Sequence, residues 1–265
     1  MKIIESISRN LDPEDIQSLS KDLYKQYLSD SYSKRNQIEK VFHEYGVNID
    51  DCLDYDVAIN DLLKTYYLNE KIIKASFIKQ HFAKSKQNVL AMELPVINSR
   101  IDLAKFNGHS FAYEIKTDYD SFNRLDSQLN DYSKIFDYVY VILSDSRCSA
   151  SFKDIPLHIG IYTYYIHDST IKFRKFRQAI RNTDKDFVNL LNLLYRDELV
   201  YAFARCPKNA KKSLQIDYVV NNYSSKYINS KVKELLKRRY SDKWYSTFNN
   251  VGNILEIDFQ KIYNN

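Results

Sequence analysis

The chain of 265 residues is long enough for one large domain or for a domain with an appendage, and its 44% hydrophobic and 28% charged residues are typical of a globular protein. No apolar run approaches the ~18 residues that a membrane-spanning helix needs, and the N-terminal residues MKIIESISRN lack the apolar core of a secretion signal, so we expect a cytoplasmic protein without a membrane partner. The net charge of +5 is compatible with a nucleic-acid partner but does not establish one.

The cysteines are three in number, far apart, and not in a Cys-x-x-Cys spacing. This pattern favours reduced thiols and argues against a structural zinc site. The three residues are Cys52, Cys148 and Cys206.

Residues 1–58 carry helical patterns. Asp12 is predicted as an N-cap with Pro13 at the first helical position, and the face that follows carries Ile16, Leu19, Leu23 and Tyr27. A second helix is predicted to stop at Gly46, and its inward residues are Ile38, Val41, Phe42 and Tyr45.

A further helical region is predicted from Ile59 to Phe82, with Asn69 as the cap of a helix that begins at Glu70. Residues 88–97 then favour a strand, and a hairpin follows at 100–116.

Residues 120–136 are predicted to be helical, with an apolar stripe made of Phe122, Leu125, Leu129, Tyr132 and Phe136. The apolar run at 138–144 indicates a strand that is buried on both faces. Two more strands, 158–166 and 170–176, flank a turn at His167-Asp168-Ser169.

The helical pattern returns from about residue 182, at 186–203 and 230–248. The element order predicts an α/β fold with a mixed sheet (α+β). We divide the chain into an N-terminal helical region (1–58), a core (59–180) and a C-terminal helical region (181–265).

The hairpin RIDLAKFNGHSFAYEIK raises a question of register, because it mixes apolar residues with charges. A two-residue Asn107-Gly108 turn would put apolar and charged side chains on the same face. A three-residue loop with a left-handed Gly108 avoids this. It pairs Lys105 with His109, Leu103 with Phe111, and Ile101 with Tyr113.

In that register Asp102, Glu114 and Lys116 share the face opposite the apolar one, with Asp102 across from Ala112 and diagonal to Glu114. Two adjacent carboxylates repel unless a proton or a cation lies between them, and hard oxygen ligands favour Mg²⁺ or Mn²⁺. The backbone carbonyl of Ile115 is a further candidate ligand. A divalent ion beside a lysine suits phosphodiester hydrolysis, because the ion stabilises developing charge and the lysine positions or activates water.

The pattern RID, eleven residues, then EIK, followed by a helix with Gln128, resembles the PD-(D/E)XK nuclease superfamily. The longer string NEKIIKASFI…ELPVINSRIDLAKFNGHSFAYEIKTDYDSFNRLDSQLNDYSKIFDYVYVIL is similar to the sce7726 group of bacterial and phage proteins. Ile101 stands where the superfamily name has proline.

The resemblance implies a restriction-endonuclease-like αβββαβ core with helical extensions at both ends, and metal-dependent cleavage of DNA. It implies that Asp102 and Glu114 bind the metal and that Lys116 is the catalytic lysine. Glu70 would be an auxiliary metal-binding acid, and Gln128 would orient phosphate or water. We favour an endonuclease over an exonuclease.

For the other charged residues, an ordinary surface charge is the alternative to a functional role. Glu93 is an additional candidate ligand, although a surface strand charge is favoured for it. The candidate nucleic-acid contacts, each of which is otherwise an ordinary solvated charge, are Arg100, Arg124, Lys172 and Arg174.

The basic stretch KVKELLKRRY is likewise either a solvated face or a DNA-tracking one. Two further alternatives stay open for the whole chain: a nucleic-acid-binding module that does not cleave, and an interaction protein whose charges keep an edge soluble. The residues leave the oligomeric state open, with a homodimer as one alternative.

Overall fold

Asp12 begins the first long helix in the computed structural model, which describes residues 2–29, 33–48, 54–147 and 153–264. The helices of the N-terminal part are α1 (Lys2–Asn10), α2 (Pro13–Leu28), α3 (Lys34–Glu44), α4 (Tyr55–Tyr66) and α5 (Glu70–His81). The chain contains two compact units, one from the ranges Met1–Phe77, Tyr165–Lys172 and Asn253–Asn265, and one from Ile78–Tyr164 and Phe173–Gly252. The three-part division at residues 58 and 180 stays a prediction.

The start of α2 follows from its capping residues. The Asp12 carboxylate accepts hydrogen bonds from the N–H groups of Glu14 and Asp15, and Pro13 occupies the first turn. The predicted stripe of this helix is buried: Ile16, Leu19, Leu23 and Tyr27. In α3 the predicted Ile38, Val41 and Phe42 are buried, and Gly46 has a φ of 68° just after the helix.

The interruption predicted at Asn69 is confirmed. Helix α4 ends at Tyr66, and α5 begins at Glu70 with the Asn69 side chain accepting the N–H of Ile72 at 3.1 Å. The cap therefore separates two helices that a continuous apolar pattern would otherwise join.

The sheet has six strands in the order β1-β2-β3-β4-β5-β6. Their bounds are β1 (Val89–Val96), β2 (Ser99–Asn107), β3 (His109–Lys116), β4 (Tyr138–Ser144), β5 (Gly160–His167) and β6 (Thr170–Arg177). Strands β1, β2 and β3 pair antiparallel, whereas β3, β4 and β5 pair parallel, so the predicted mixed sheet is confirmed. Six of the seven β4 residues are buried, as the apolar run predicted.

The predicted register of the β2–β3 hairpin is wrong by two residues. Leu103 pairs with Tyr113, and Asn107 pairs with His109, so Gly108 alone separates the last pair. Gly108 has the predicted left-handed backbone, with a φ of 68°, and this allows the tighter bend. Because a shift of two residues preserves the alternation of side chains, Asp102, Glu114 and Lys116 still share a face. Ala112 pairs with Ala104, so the predicted position of Asp102 opposite Ala112 is wrong.

The helix predicted at 120–136 is shorter in the structure, where α6 spans Leu125–Ser133. Before it, the Asp120 carboxylate accepts hydrogen bonds from both the N–H and the hydroxyl of Thr117, each at 2.8 Å. Such local side-chain bonds compete with helix formation. Leu125, Leu129 and Tyr132 nevertheless join the apolar cluster that fills this side of the sheet.

The later elements follow the predicted pattern. Asp168 and Ser169 form the turn between β5 and β6 with φ angles of 48° and 54°. The stretch 186–203 forms two helices, and the helices of the C-terminal part are α7 (Phe187–Asn192), α8 (Arg196–Ala202), α9 (Lys212–Asn222), α10 (Ser225–Asn250) and α11 (Phe259–Asn264).

Of the helices that the structure describes, none combines the length and apolar character needed to cross a bilayer. Cys206 is a buried free thiol, while Cys52 and Cys148 lie outside the described residues.

Candidate functional site

Strands β2 and β3 and helix α6 bring together most of the side chains that the sequence singled out. Asp102 comes from β2, Glu114 and Lys116 from β3, and Gln128 and Tyr132 from α6. The three charged residues are 9%, 1% and 9% exposed in that order, so the face that carries them is buried. Because these side chains are buried, they are not ordinary charges on a solvent-exposed face of the sheet.

Asp102 lies where the backbone pairing of β2 with β3 ends. The paired residues stop at Leu103 and Tyr113, and the Asp102 Oδ2 atom accepts the N–H of Ile115 at 2.6 Å. The Asp102 carboxylate therefore replaces a backbone carbonyl as the acceptor for this N–H group. The hydrogen bond fixes the position of the carboxylate where the two strands separate. The carbonyl oxygen of Ile115 as a metal ligand stays a prediction.

Glu114 is held on both oxygens. Lys116 Nζ donates to Oε1 at 2.8 Å, and the hydroxyl of Tyr132 lies 2.9 Å from Oε2. The same hydroxyl lies 2.9 Å from the carbonyl oxygen of Arg100 in β2. Burial, followed by the Glu114 charge, raises the pKa of Tyr132 well above its ordinary value, so the phenol remains a hydrogen-bond donor.

Lys116 is fixed by two acceptors. Its ammonium group contacts Glu114 Oε1 at 2.8 Å and Gln128 Oε1 at 3.0 Å. Because these acceptors come from β3 and α6, the amine points into the space between the sheet and the helix. The pair of contacts supports a positioned amine and gives Gln128 a defined place beside it.

Glu93 belongs to this group, although the sequence analysis favoured a surface charge for it. The pairs on either side, Met92 with Leu103 and Leu94 with Ile101, place Glu93 beside Asp102. Carboxylate oxygens of the two residues lie within 4.8 Å of each other. Glu93 also has a φ of 54°, and its Oε2 lies 3.3 Å from the Nε of Arg100. Pairing of β1 with β2 was the missing information, since no sequence signal fixed that register.

The donor set fits a hard divalent cation. One Mg²⁺ ion bound to two oxygens spans about 4 Å between them, a separation comparable with that of the Glu93 and Asp102 carboxylates. Each oxygen of Glu114 already accepts a hydrogen bond, but a carboxylate offers about four acceptor positions in all. Within this unit, Glu93 and Asp102 are therefore the residues whose proximity fits Mg²⁺ or Mn²⁺, and Glu114 as a metal ligand stays a prediction.

The other predicted residues make contacts of their own. Glu70 begins α5 and contacts Lys74 at 2.8 Å, and its role as an auxiliary acid stays a prediction. Arg124 is exposed at the start of α6. In β6, Lys172 is exposed, and Arg174 forms an ion pair with Asp145 at 2.7 Å.

Comparison with known proteins gives a phage family. A family model described as "Bacteriophage P4 protein cII" matches residues 63–262. The chain is 25% identical over 180 residues to protein cII of Enterobacteria phage P4, covering 59% of this chain and 68% of that protein.

A solved structure, the SPO1766 protein of unknown function from Silicibacter pomeroyi, matches 42% of this chain and 68% of its own length, with 16% identity and a TM-score of 0.30. The resemblance to the sce7726 group and to the PD-(D/E)XK superfamily stays a prediction.

Proposed function

Since the chain belongs to the bacteriophage P4 protein cII family, whose name specifies no reaction, we propose its function from the geometry of the site: a DNA nuclease that hydrolyses phosphodiester bonds with Mg²⁺ or Mn²⁺. An endonuclease is favoured over an exonuclease. The three widely spaced cysteines support a cytoplasmic setting.

One observation carries the proposal. Lys116 Nζ is held at 2.8 Å from Glu114 and 3.0 Å from Gln128, on the face where Asp102 and Glu93 bring their carboxylates within 4.8 Å of each other. A buried amine beside carboxylates suits phosphodiester hydrolysis, because it combines a candidate cation site with a group that can donate hydrogen bonds to water or phosphate.

Each residue of the site has a distinct role in the proposed hydrolysis. Glu93, Asp102 and Glu114 would hold the divalent ion, which when bound supplies charge stabilisation to the phosphate undergoing attack. Lys116 donates hydrogen bonds from a fixed position and so orients the attacking water or a phosphate oxygen. Gln128 restrains Lys116 through its side-chain oxygen.

The experiment uses supercoiled and single-stranded DNA with Mg²⁺, with Mn²⁺ and with EDTA. We expect cleavage with a divalent ion only, and a loss of about 100-fold or more in Lys116→Ala, as is typical when a proton-transfer group is removed. Lys25→Ala is the matched control, because Lys25 pairs with Asp22 at 2.9 Å on an exposed helix face.

Two results would contradict the proposal. One is cleavage that persists in EDTA or is unchanged in Lys116→Ala. The other is the absence of cleavage of both DNA forms with either ion while Lys25→Ala and the unmodified chain are folded.

A second candidate is a DNA-binding module on the same fold that does not cleave. The observation in its favour is that Glu114 is only 1% exposed and that both of its oxygens already accept hydrogen bonds. Such a closed network can be purely structural. DNA binding without cleavage in the same assay would favour this candidate.

A further inference from the structure

Positive charge is unevenly distributed along the unit that carries the site. Residues 78–164, which include β1 to β4 and α6, contain 10 Lys and Arg against 10 Asp and Glu, whereas residues 195–240 contain 11 against 4. The second segment therefore carries +7, more than the +5 of the whole chain. A partner rich in phosphate is attracted to the helices α8, α9 and α10 rather than to the neutral sheet region.

Part of this charge has internal partners. Lys233 contacts Asp137 at 3.1 Å, and Arg239 forms an ion pair with Glu198. Six cations of the segment are nevertheless exposed, namely Arg196, Arg205, Lys208, Lys211, Lys226 and Arg238. Three acids of the segment are also exposed, namely Asp197, Asp217 and Glu234, so its surface charge remains positive.

Tyrosine rings lie among these cations. Tyr201 in α8 is 71% exposed, with the guanidinium of Arg238 5.2 Å from its ring centre. Tyr227 in α10 is 40% exposed and stacks on Tyr223, with ring centres 5.3 Å apart and planes 17° apart. Each ring is supported on one side and is exposed to solvent, Tyr201 more than Tyr227.

One face of α10 carries both Tyr227 and Arg238, the cation that contacts the Tyr201 ring. Tyr227, Lys231 and Arg238 follow the i, i+4, i+11 spacing of one helix face. The pKa of Lys231 is raised chiefly by its bond to Glu234, with smaller contributions from Tyr227 and Tyr201. We define the C-terminal basic surface as Tyr201, Tyr227, Lys231 and Arg238.

We propose that the C-terminal basic surface binds single-stranded DNA, with unpaired bases stacking on Tyr201 and Tyr227 and phosphates meeting Lys231 and Arg238. Exposed aromatic rings beside cations bind unpaired bases in this way, because every base has a stacking face and only an unpaired base exposes it fully. The choice of DNA over RNA rests on the proposed nuclease function. The surface would hold an extended substrate whose cleavage takes place at the Lys116 site.

The test measures binding without cleavage. Fluorescence anisotropy in EDTA compares a labelled oligothymidine with its duplex and with oligouridine. We expect oligothymidine to bind most tightly, and the double variant Tyr201→Ser/Tyr227→Ser to weaken it about tenfold or more. Lys231→Gln/Arg238→Gln should reduce the dependence of log K on log salt by about 1.4, the value for two phosphate contacts on a single strand.

The controls are Tyr165→Ser and Lys25→Gln, which remove an exposed ring and an exposed cation outside the segment. Thermal melting of each variant checks its folding, which exposed substitutions should preserve. The inference is overturned if oligothymidine does not bind or if oligouridine binds more tightly. It is also overturned if both double variants bind oligothymidine as tightly as the unmodified chain does. Because no divalent ion is present, binding lost in these variants supports the surface even if the chain does not cleave DNA.

Discussion

The hydroxyl of Tyr132 links helix α6 to strands β2 and β3. Its removal tests how strongly the site depends on this hydrogen-bond donor. Tyr132 is fully buried and lies 2.9 Å from both Glu114 Oε2 and the carbonyl oxygen of Arg100. In Tyr132→Phe a buried carboxylate loses a donor, so we expect the free energy of unfolding to fall by about 1–3 kcal/mol. Urea denaturation measures this change.

The same substitution should weaken Mn²⁺ binding about 10- to 100-fold, because hydrogen bonds to a ligating carboxylate orient it for the metal. Titration calorimetry of the metal-free protein measures this affinity. Tyr201→Phe is the control, since Tyr201 is 71% exposed and keeps its ring. Unchanged stability and unchanged Mn²⁺ affinity in Tyr132→Phe would show that its hydroxyl positions nothing.

At the residue scale the sequence was sufficient for Asp102, Glu114 and Lys116, because strand alternation together with a single apolar face of the hairpin puts them on one side. It was not sufficient for Glu93, whose place depends on pairing between β1 and β2. Tyr132 was predicted as part of the apolar stripe of α6, and its ring does join the apolar cluster. Its bond to Glu114 depends on how α6 crosses the sheet, which no local pattern encodes.

At the element scale, Gly160 shows how β4 and β5 come close together. A Cβ atom at this position would lie 2.2 Å from the ring of Tyr140 and 2.7 Å from the backbone nitrogen of Ala179. The ring is stacked against Tyr113 at 5.4 Å and is 3% exposed, so it has little room to move. We expect Gly160→Ala to destabilise the fold by about 1–3 kcal/mol through overpacking.

Gly252→Ala is the matched control, because a Cβ atom there has no neighbour within 4 Å. Thermal denaturation of the two variants should show a lowered Tm for Gly160→Ala and little change for Gly252→Ala. Equal Tm values for the two variants would mean that β5 shifts freely relative to Tyr140.

The elements themselves were largely predictable, because caps and periodicity are local. Asp12 and Asn69 began helices as expected, and the apolar run at 138–144 became a buried strand. The hairpin register was missed by two residues, since face alternation distinguishes odd from even shifts but not one even shift from another. The length of helix α6 was overestimated because the hydrogen bonds between Thr117 and Asp120 were not foreseen.

At the scale of the whole molecule, the compact units depend on contacts between residues far apart in sequence. Within the unit that contains both chain ends, Asn60 donates to Glu256 at 2.8 Å, and Tyr27 donates to Asp258 at 2.8 Å. These partners are 196 and 231 residues apart. Local patterns contain no information on such pairings, so the sequence predicts helices and strands more directly than it predicts which segments form one compact unit.

Metal binding should register in the stability of the whole chain, because an ion that binds only the folded state stabilises it by mass action. The Glu93 and Asp102 carboxylates lie within 4.8 Å of each other, so a divalent ion would relieve their repulsion. Millimolar Mn²⁺ should therefore raise the Tm, with a gain of about 2.7 kcal/mol if its concentration is 100 times the Kd. Asp102→Asn should reduce that gain, whereas Asp126→Asn, on the exposed side of α6, should retain it. A Tm that is the same with Mn²⁺ and with EDTA would count against the cation site, and an equal gain in Asp102→Asn would place the ion elsewhere.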